Sequence, residues 1–230
     1  MRDLGTGAGG ARQRGDDGSC RGPARLDAQK KTIAASERDE AARAAWKEEV
    51  ARLDPARFVF VDETGSNRAM TPRYARAPRG ERAHGQAPAQ RGENLTLIAA
   101  LGPEGMGAAM TLPGAVDGAA CEVFVRDLLA PTLQPGQLVI WDNVAPHRGE
   151  RLRDLIAARG CELRFLPAYS PDLSPIELAF SKLKELLRRA EARTREALEA
   201  AISEALVAIT ATDARGWFRH CGYLPLAQHP

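Results

Sequence analysis

The chain has 230 residues, 44% of them apolar, which suits one packed domain or a domain with an appendage. Its 32 Lys and Arg against 30 Asp and Glu leave a formal charge of +2, too small to establish a nucleic-acid partner, so any such case rests on where the charges sit. No run approaches the roughly twenty apolar residues of a membrane span, no secretory pattern opens the chain, and the cysteines (Cys20, Cys121, Cys161, Cys221) form no C-x-x-C pair, which argues against a disulfide framework or a zinc site and points to reduced thiols in the cytoplasm.

Met1 to Arg25 is rich in Gly, Arg and Asp with hardly any apolar residues, so it is expected to be disordered. Residues 26–57 read as a helical linker. Helix formers dominate A-A-S-E-R-D-E-A-A-R-A-A-W-K-E-E-V, and Ala42, Trp46, Val50 and Leu53 recur at spacings that give one narrow packing stripe. Asp54-Pro55 breaks this helix. Phe58 to Val61 is a predicted strand ending at Asp62. The segment from Arg68 to Arg91 then holds Arg68, Arg73, Arg76, Arg79, Arg82 and Arg91 against the single acid Glu81, among turn-forming Pro and Gly. It is either a solvated, irregular surface hairpin or a basic face for a phosphate backbone.

Leu95 to Leu101 and Ala108 to Leu112 predict an antiparallel hairpin about the turn Gly102 to Gly105. Gly118 to Leu129 predicts a short helix, Leu138 to Trp141 a buried strand, and Arg148 to Arg159 a helix ended by Gly160. Leu163 to Leu166 is the next strand. Ser174 to Ala190 is a helix with Ile176, Phe180, Leu183 and Leu187 inward, and Glu177, Ser181, Lys184 and Arg188 on the adjacent stripe. A helix from Thr194 to Ile209 and a short closing helix in Thr212 to Tyr223 complete an α/β fold with a mixed sheet flanked by helices.

Three acids share one placement. Asp62 and Asp142 each follow an apolar strand, and Glu177 lies in the first turn of a helix introduced by a Pro-rich loop. Singly they have plain explanations: strand-end turn residues for the aspartates, and for Glu177 a capping box, Ser174-Pro175-Ile176-Glu177. Together they point to one edge of the sheet, where α/β folds gather their sites. Three converging carboxylates repel one another unless a cation neutralises them. Hard oxygen donors without a Cys or His cluster favour Mg²⁺ or Mn²⁺, and a pair of such ions can activate an attacking oxygen and stabilise a leaving one on a phosphodiester. Asn143 and His147 are candidate supporting residues. His147 is expected either to touch a phosphate or the attacking water, or to be a helix N-terminal histidine without a chemical role. Lys184 and Arg188, on the Glu177 face, join Arg68, Arg73, Arg76, Arg79 and Arg82 as candidate DNA contacts. No G-x-S-x-G is present, and G-P-E-G-M-G lacks dinucleotide-fold spacing.

V-D-E-T-G at Val61 to Gly65, W-D-N-V-A-P-H-R at Trp141 to Arg148 and L-P-A-Y-S-P-D-L-S-P-I-E at Leu166 to Glu177 closely resemble the DDE transposases of bacterial insertion sequences. The branch is insertion-sequence family six-thirty of the Tc/mariner superfamily, and the resemblance spans roughly Lys30 to Tyr223. It implies a ribonuclease-H-like catalytic domain at 58–230 with Asp62, Asp142 and Glu177 as its triad, holding two Mg²⁺ or Mn²⁺ ions. It also implies cleavage of inverted-repeat ends by water and joining of the 3′-hydroxyl to target DNA, in the bacterial cytoplasm and as a homodimer. Members of this family carry N-terminal helix-turn-helix domains. About 57 residues precede the first strand here without that pattern, so a separately encoded recognition portion or a truncated copy is expected. Ser174 stands where the family has Asn, a comparable helix cap. The competing expectations are an inactive DNA-binding relic and a related ribonuclease-H-like nuclease.

Overall fold

Strand β1 (Phe58–Ser66) is the middle of the sheet, and its alternating side chains divide the core in two. The computed structural model describes residues 35–144, 147 and 149–223. The expectation for residues 1–25, and the part of the helical linker before residue 35, lie outside the described residues. The other strands are β2 (Leu95–Gly102), β3 (Gly105–Pro113), β4 (Leu138–Trp141) and β5 (Glu162–Phe165), in the order β3-β2-β1-β4-β5. β2 runs antiparallel to both β1 and β3, whereas β1, β4 and β5 are parallel. The hairpin between β2 and β3 closes at Gly105, whose φ of +121° favours glycine.

Even-numbered residues of β1 and β4, such as Phe58, Phe60, Leu138 and Ile140, face one layer of helices. That layer holds α1 (Glu40–Val50), α4 (Pro175–Ala190), α5 (Arg195–Val207) and α6 (Ala211–His220). Val59, Val61, Val139 and Trp141 face the other layer, built from α2 (Gly118–Val123) and α3 (Glu150–Ala157). Phe58 and Phe60 are fully buried, each burial contributing about 1.5–3 kcal/mol. Phe218 and Tyr223 meet these rings edge-on, at 5.4 Å from Phe60 and 5.6 Å from Phe58, and so seat the chain after α5 on the sheet.

Several elements differ from their sequence expectations. β1 continues through Asp62 to Ser66 because pairing with β2 persists from Phe60 to Ser66, so Asp62 is inside the strand and not at its end. In α1 the inward stripe is Arg43, Trp46 and Val50; Ala42 is exposed, because the Arg43 guanidinium finds a carboxylate partner. The helix after Gly118 widens to a π-turn over Phe124–Leu129, which turns Val125 into the core and leaves Val123 and Leu128 partly in solvent. Between β1 and β2 the Arg-rich segment forms neither helix nor strand and is largely exposed.

Candidate active site

The parallel pairing of β1 with β4 matches Phe58 to Leu138, Val59 to Val139 and Phe60 to Ile140. Continued by two residues, this register sets Asp62 beside Asp142, on the sheet face that packs against α4. Glu177, in the first turn of α4, lines the same cleft as both aspartates; its volume is about 490 Å³. Asn143 also lines the cleft, together with Tyr169, whose φ of 54° is unusual for a non-glycine residue.

Asp62 is partly buried, and its Oδ1 accepts the backbone N–H of Glu63 at 2.8 Å. Burial pushes its carboxyl up to about 8, against that hydrogen bond and with the help of the nearby charges of Glu177, Glu63 and Asp142. Without a cation, then, at least one acid of the cluster tends to hold a proton. Glu177 is not occupied by the capping box expected of it, since the Ser174 side chain makes no cap hydrogen bond and the first turn begins at Pro175. Its carboxylate stands exposed at the cleft.

Strand alternation sends Glu63 to the opposite face from Asp62, where it meets His147. His147 Nε2 is 2.9 Å from Glu63 Oε1, and its Nδ1 bonds Asp142. Burial disfavours the imidazolium, but hydrogen bonds to Asp142, Cys121 and Glu63 outweigh it and raise the His147 pKa to about 11. His147 is 2% exposed. It sits behind the cleft, bonded to Asp142 on one side and Glu63 on the other. Cys121, from α2, lies with Glu63 and His147 in one cluster whose ligand atoms are within 4.8 Å of one another, a grouping that their wide sequence spacing concealed.

The basic candidates divide. Arg73, Lys184 and Arg188 line a second hollow of about 650 Å³, with Tyr74 and Arg189. Arg193, in the turn after α4, supports this geometry by donating to the carbonyls of Arg68 and Met70 at 3.0 Å. Arg68 itself lines a separate, smaller hollow with Glu93 and Arg195, while Arg76, Arg79 and Arg82 stand exposed on the irregular segment.

Residues 57–199 match the family model described as DDE superfamily endonuclease. No curated protein matches the chain. Among solved structures, it resembles a pre-cleavage Mos1 transpososome (TM-score 0.68, 19% identity, 88% of this chain and 64% of that one). It also resembles the Mos1 strand transfer complex (TM-score 0.67, 19% identity, 88% and 63%) and a mariner Mos1 paired-end complex with Mg (TM-score 0.67, 20% identity, 88% and 64%). The chain spans just under two thirds of the length of each. At these identities the likeness establishes the fold, a ribonuclease-H-like mixed sheet flanked by helices.

Proposed function

The chain belongs to the DDE superfamily of endonucleases, and on that premise we propose that it is the catalytic portion of a Tc/mariner-type DNA transposase, cutting transposon ends and joining them to target DNA. The observation that carries this reading is the side-by-side setting of Asp62 and Asp142 with Glu177 on the same cleft. Asp62, Asp142 and Glu177 would hold the divalent cation, Mg²⁺ or Mn²⁺, with two ions as the fuller expectation. The donor set fits, because all three are hard oxygen ligands and burial first, then the charges of the neighbouring acids, push Asp62 toward its protonated form without a cation. When bound, such ions activate the attacking oxygen and stabilise the leaving oxygen of a phosphodiester.

The chain's own residues do the rest. β1 and β4 fix the two aspartates in register, while His147 and Trp141 keep the Asp142 carboxylate from turning away. Arg73, Lys184 and Arg188 offer positive charge along the face of α4 that begins at Glu177, which suits a phosphate backbone leaving the cleft. DNA is accordingly the proposed partner. A homodimer and a separately encoded helix-turn-helix portion complete the proposal.

The test is nicking of a supercoiled plasmid, together with joining of a 3′-hydroxyl duplex to it, in Mn²⁺. Activity that disappears in Asp142→Asn and on chelation is the expected result. Equal nicking by the parent and by a variant lacking all three acids would refute the reading.

A further inference from the structure

Arg43 turns inward from α1 and is 3% exposed. Its Nη1 donates to Oδ1 of Asp172 at 2.9 Å and its Nη2 donates to Oδ2 at 2.6 Å, a bidentate pair spanning 129 positions of sequence. Asp172 sits in the short 3₁₀ turn Pro171–Leu173 that delivers the chain to Ser174 and α4. The next residue is gripped as well. The carbonyl of Leu173 accepts from Tyr223 Oη at 2.6 Å, and Tyr223 Oη accepts from Trp46 Nε1 at 3.1 Å, one turn along α1 from Arg43.

These contacts close on the turn that leads to Glu177. The Ser174 side chain does not cap α4, so Glu177 is not oriented by its own helix terminus. The turn 171–173 delivers the first residues of α4, whose Ile176 and Phe180 seat in the core, and so bears on where the exposed Glu177 carboxylate stands at the cleft. A guanidinium holds two carboxylate oxygens in one plane, which an ammonium cannot do. Asp172 keeps 53% of its side chain exposed, so the pair contributes geometry more than stability.

We propose that Arg43 and Asp172 form a positioning clamp through which α1 sets Glu177 for cation binding. The clamp rests on the reading of Glu177 as a cation ligand. α1 lies outside residues 57–199, the stretch that matches the family model, so the clamp makes a flanking helix part of the catalytic apparatus.

The experiment measures two quantities in the chain without DNA: amide hydrogen exchange across 171–177, and affinity for Mn²⁺. Arg43→Gln is expected to speed exchange in 171–177 at least tenfold and to weaken Mn²⁺ binding about tenfold, while exchange in β1 and β2 stays as in the parent. Arg43→Lys, which keeps the charge but not the fork, should fall between. Asp172→Asn, at the more exposed end of the pair, should reproduce the Arg43→Gln changes without threatening the fold. Unchanged exchange at 171–177 overturns the clamp, as does a uniform acceleration over the whole sheet, which marks mere loss of stability. Unaltered Mn²⁺ affinity in Arg43→Gln, in a parent that Glu177→Gln weakens, also overturns it. If Glu177→Gln leaves Mn²⁺ affinity untouched, the ligand reading itself fails, and with it the clamp's purpose; the exchange measurement still decides whether the grip exists.

Discussion

The imidazole of His147 lies flat on the indole of Trp141, ring centroids 4.4 Å apart and planes 21° from parallel. The stack holds the ring edge-on between two carboxylates, whose hydrogen bonds outweigh its burial and raise its pKa to about 11, favouring the imidazolium cation. His147→Ala removes that cation and leaves both acids to face each other. The expected loss is about 2–3 kcal/mol, the scale of a hydrogen bond to a charged group, read from urea unfolding. A loss below about 0.5 kcal/mol, the range of unremarkable surface substitutions, would show that neither acid depends on the ring.

Much of this arrangement was legible in the sequence. The hairpin β2–β3, the apolar run of β4 and the inward stripe Ile176, Phe180, Leu183 and Leu187 follow from periodicity; the pairing forms as read, and β4 and the stripe are buried, whereas β3 is only half-buried at the sheet edge. Asp62, Asp142 and Glu177 could be grouped because each adjoins an apolar element. What could not be read depends on pairing over long distances. β1 runs past Asp62 only because β2 continues to pair with it, so Glu63 gains a face of its own. Arg43 is buried because Asp172 comes to meet it, and no local pattern marks a charged residue for the interior. Ser-Pro-Ile-Glu is a sound capping pattern, yet the buried Ser174 does not use it.

Asp213 supplies a pH test away from the cleft. Its carboxylate accepts from Lys182 Nζ at 2.6 Å on α4 and from Thr210 N at 2.9 Å at the start of α6, tying the two helices together. The Lys182 hydrogen bond first, then those from the Thr210 backbone and side chain, hold its pKa down at about 2, below the ordinary 3.8. A depressed folded value means that the stability it lends is complete above 3.8 and disappears as the pH falls through about 2. Asp213→Ala is therefore expected to cost about 1–2 kcal/mol at neutral pH, the usual worth of a helix cap. The gap from the parent should hold from pH 7 to 5 and narrow by pH 3. Urea melts at those three values check it, and a gap that widens on acidification contradicts the assignment.

The division among the arginines predicts unequal effects on DNA binding. Lys184 and Arg188 share a hollow with Arg73, whereas Arg68 lies in another beside Glu93. Neutralising two phosphate contacts lowers the slope of log K against log salt by nearly two units, at about 0.9 per phosphate. Lys184→Gln with Arg188→Gln should show that drop, and Arg68→Gln should leave the slope within error of the parent. A larger change from Arg68→Gln than from the double variant would relocate the DNA path.

Glu177 separates helix capping from catalysis more sharply now that the cap is absent. Were Glu177 a cap partner for Ser174, glutamine would serve equally well there, and Glu177→Gln would keep its activity. No cap bond from Ser174 engages it and its side chain is exposed at the cleft, so the role proposed for its negative charge is to hold a cation with Asp62 and Asp142. Glu177→Gln should therefore lower Mg²⁺-dependent DNA cleavage by orders of magnitude while the melting temperature without metal stays level or rises slightly, since the charge of Glu177 bears on the strained Asp62 carboxyl. Adding Mg²⁺ should raise the melting temperature of the parent and much less that of the variant, because a ligand bound only by the folded state stabilises it. The thermal comparison needs no DNA, so it remains decisive even where a recognition portion must be supplied for cleavage. Equal Mg²⁺ shifts in parent and variant would remove Glu177 from the cation site.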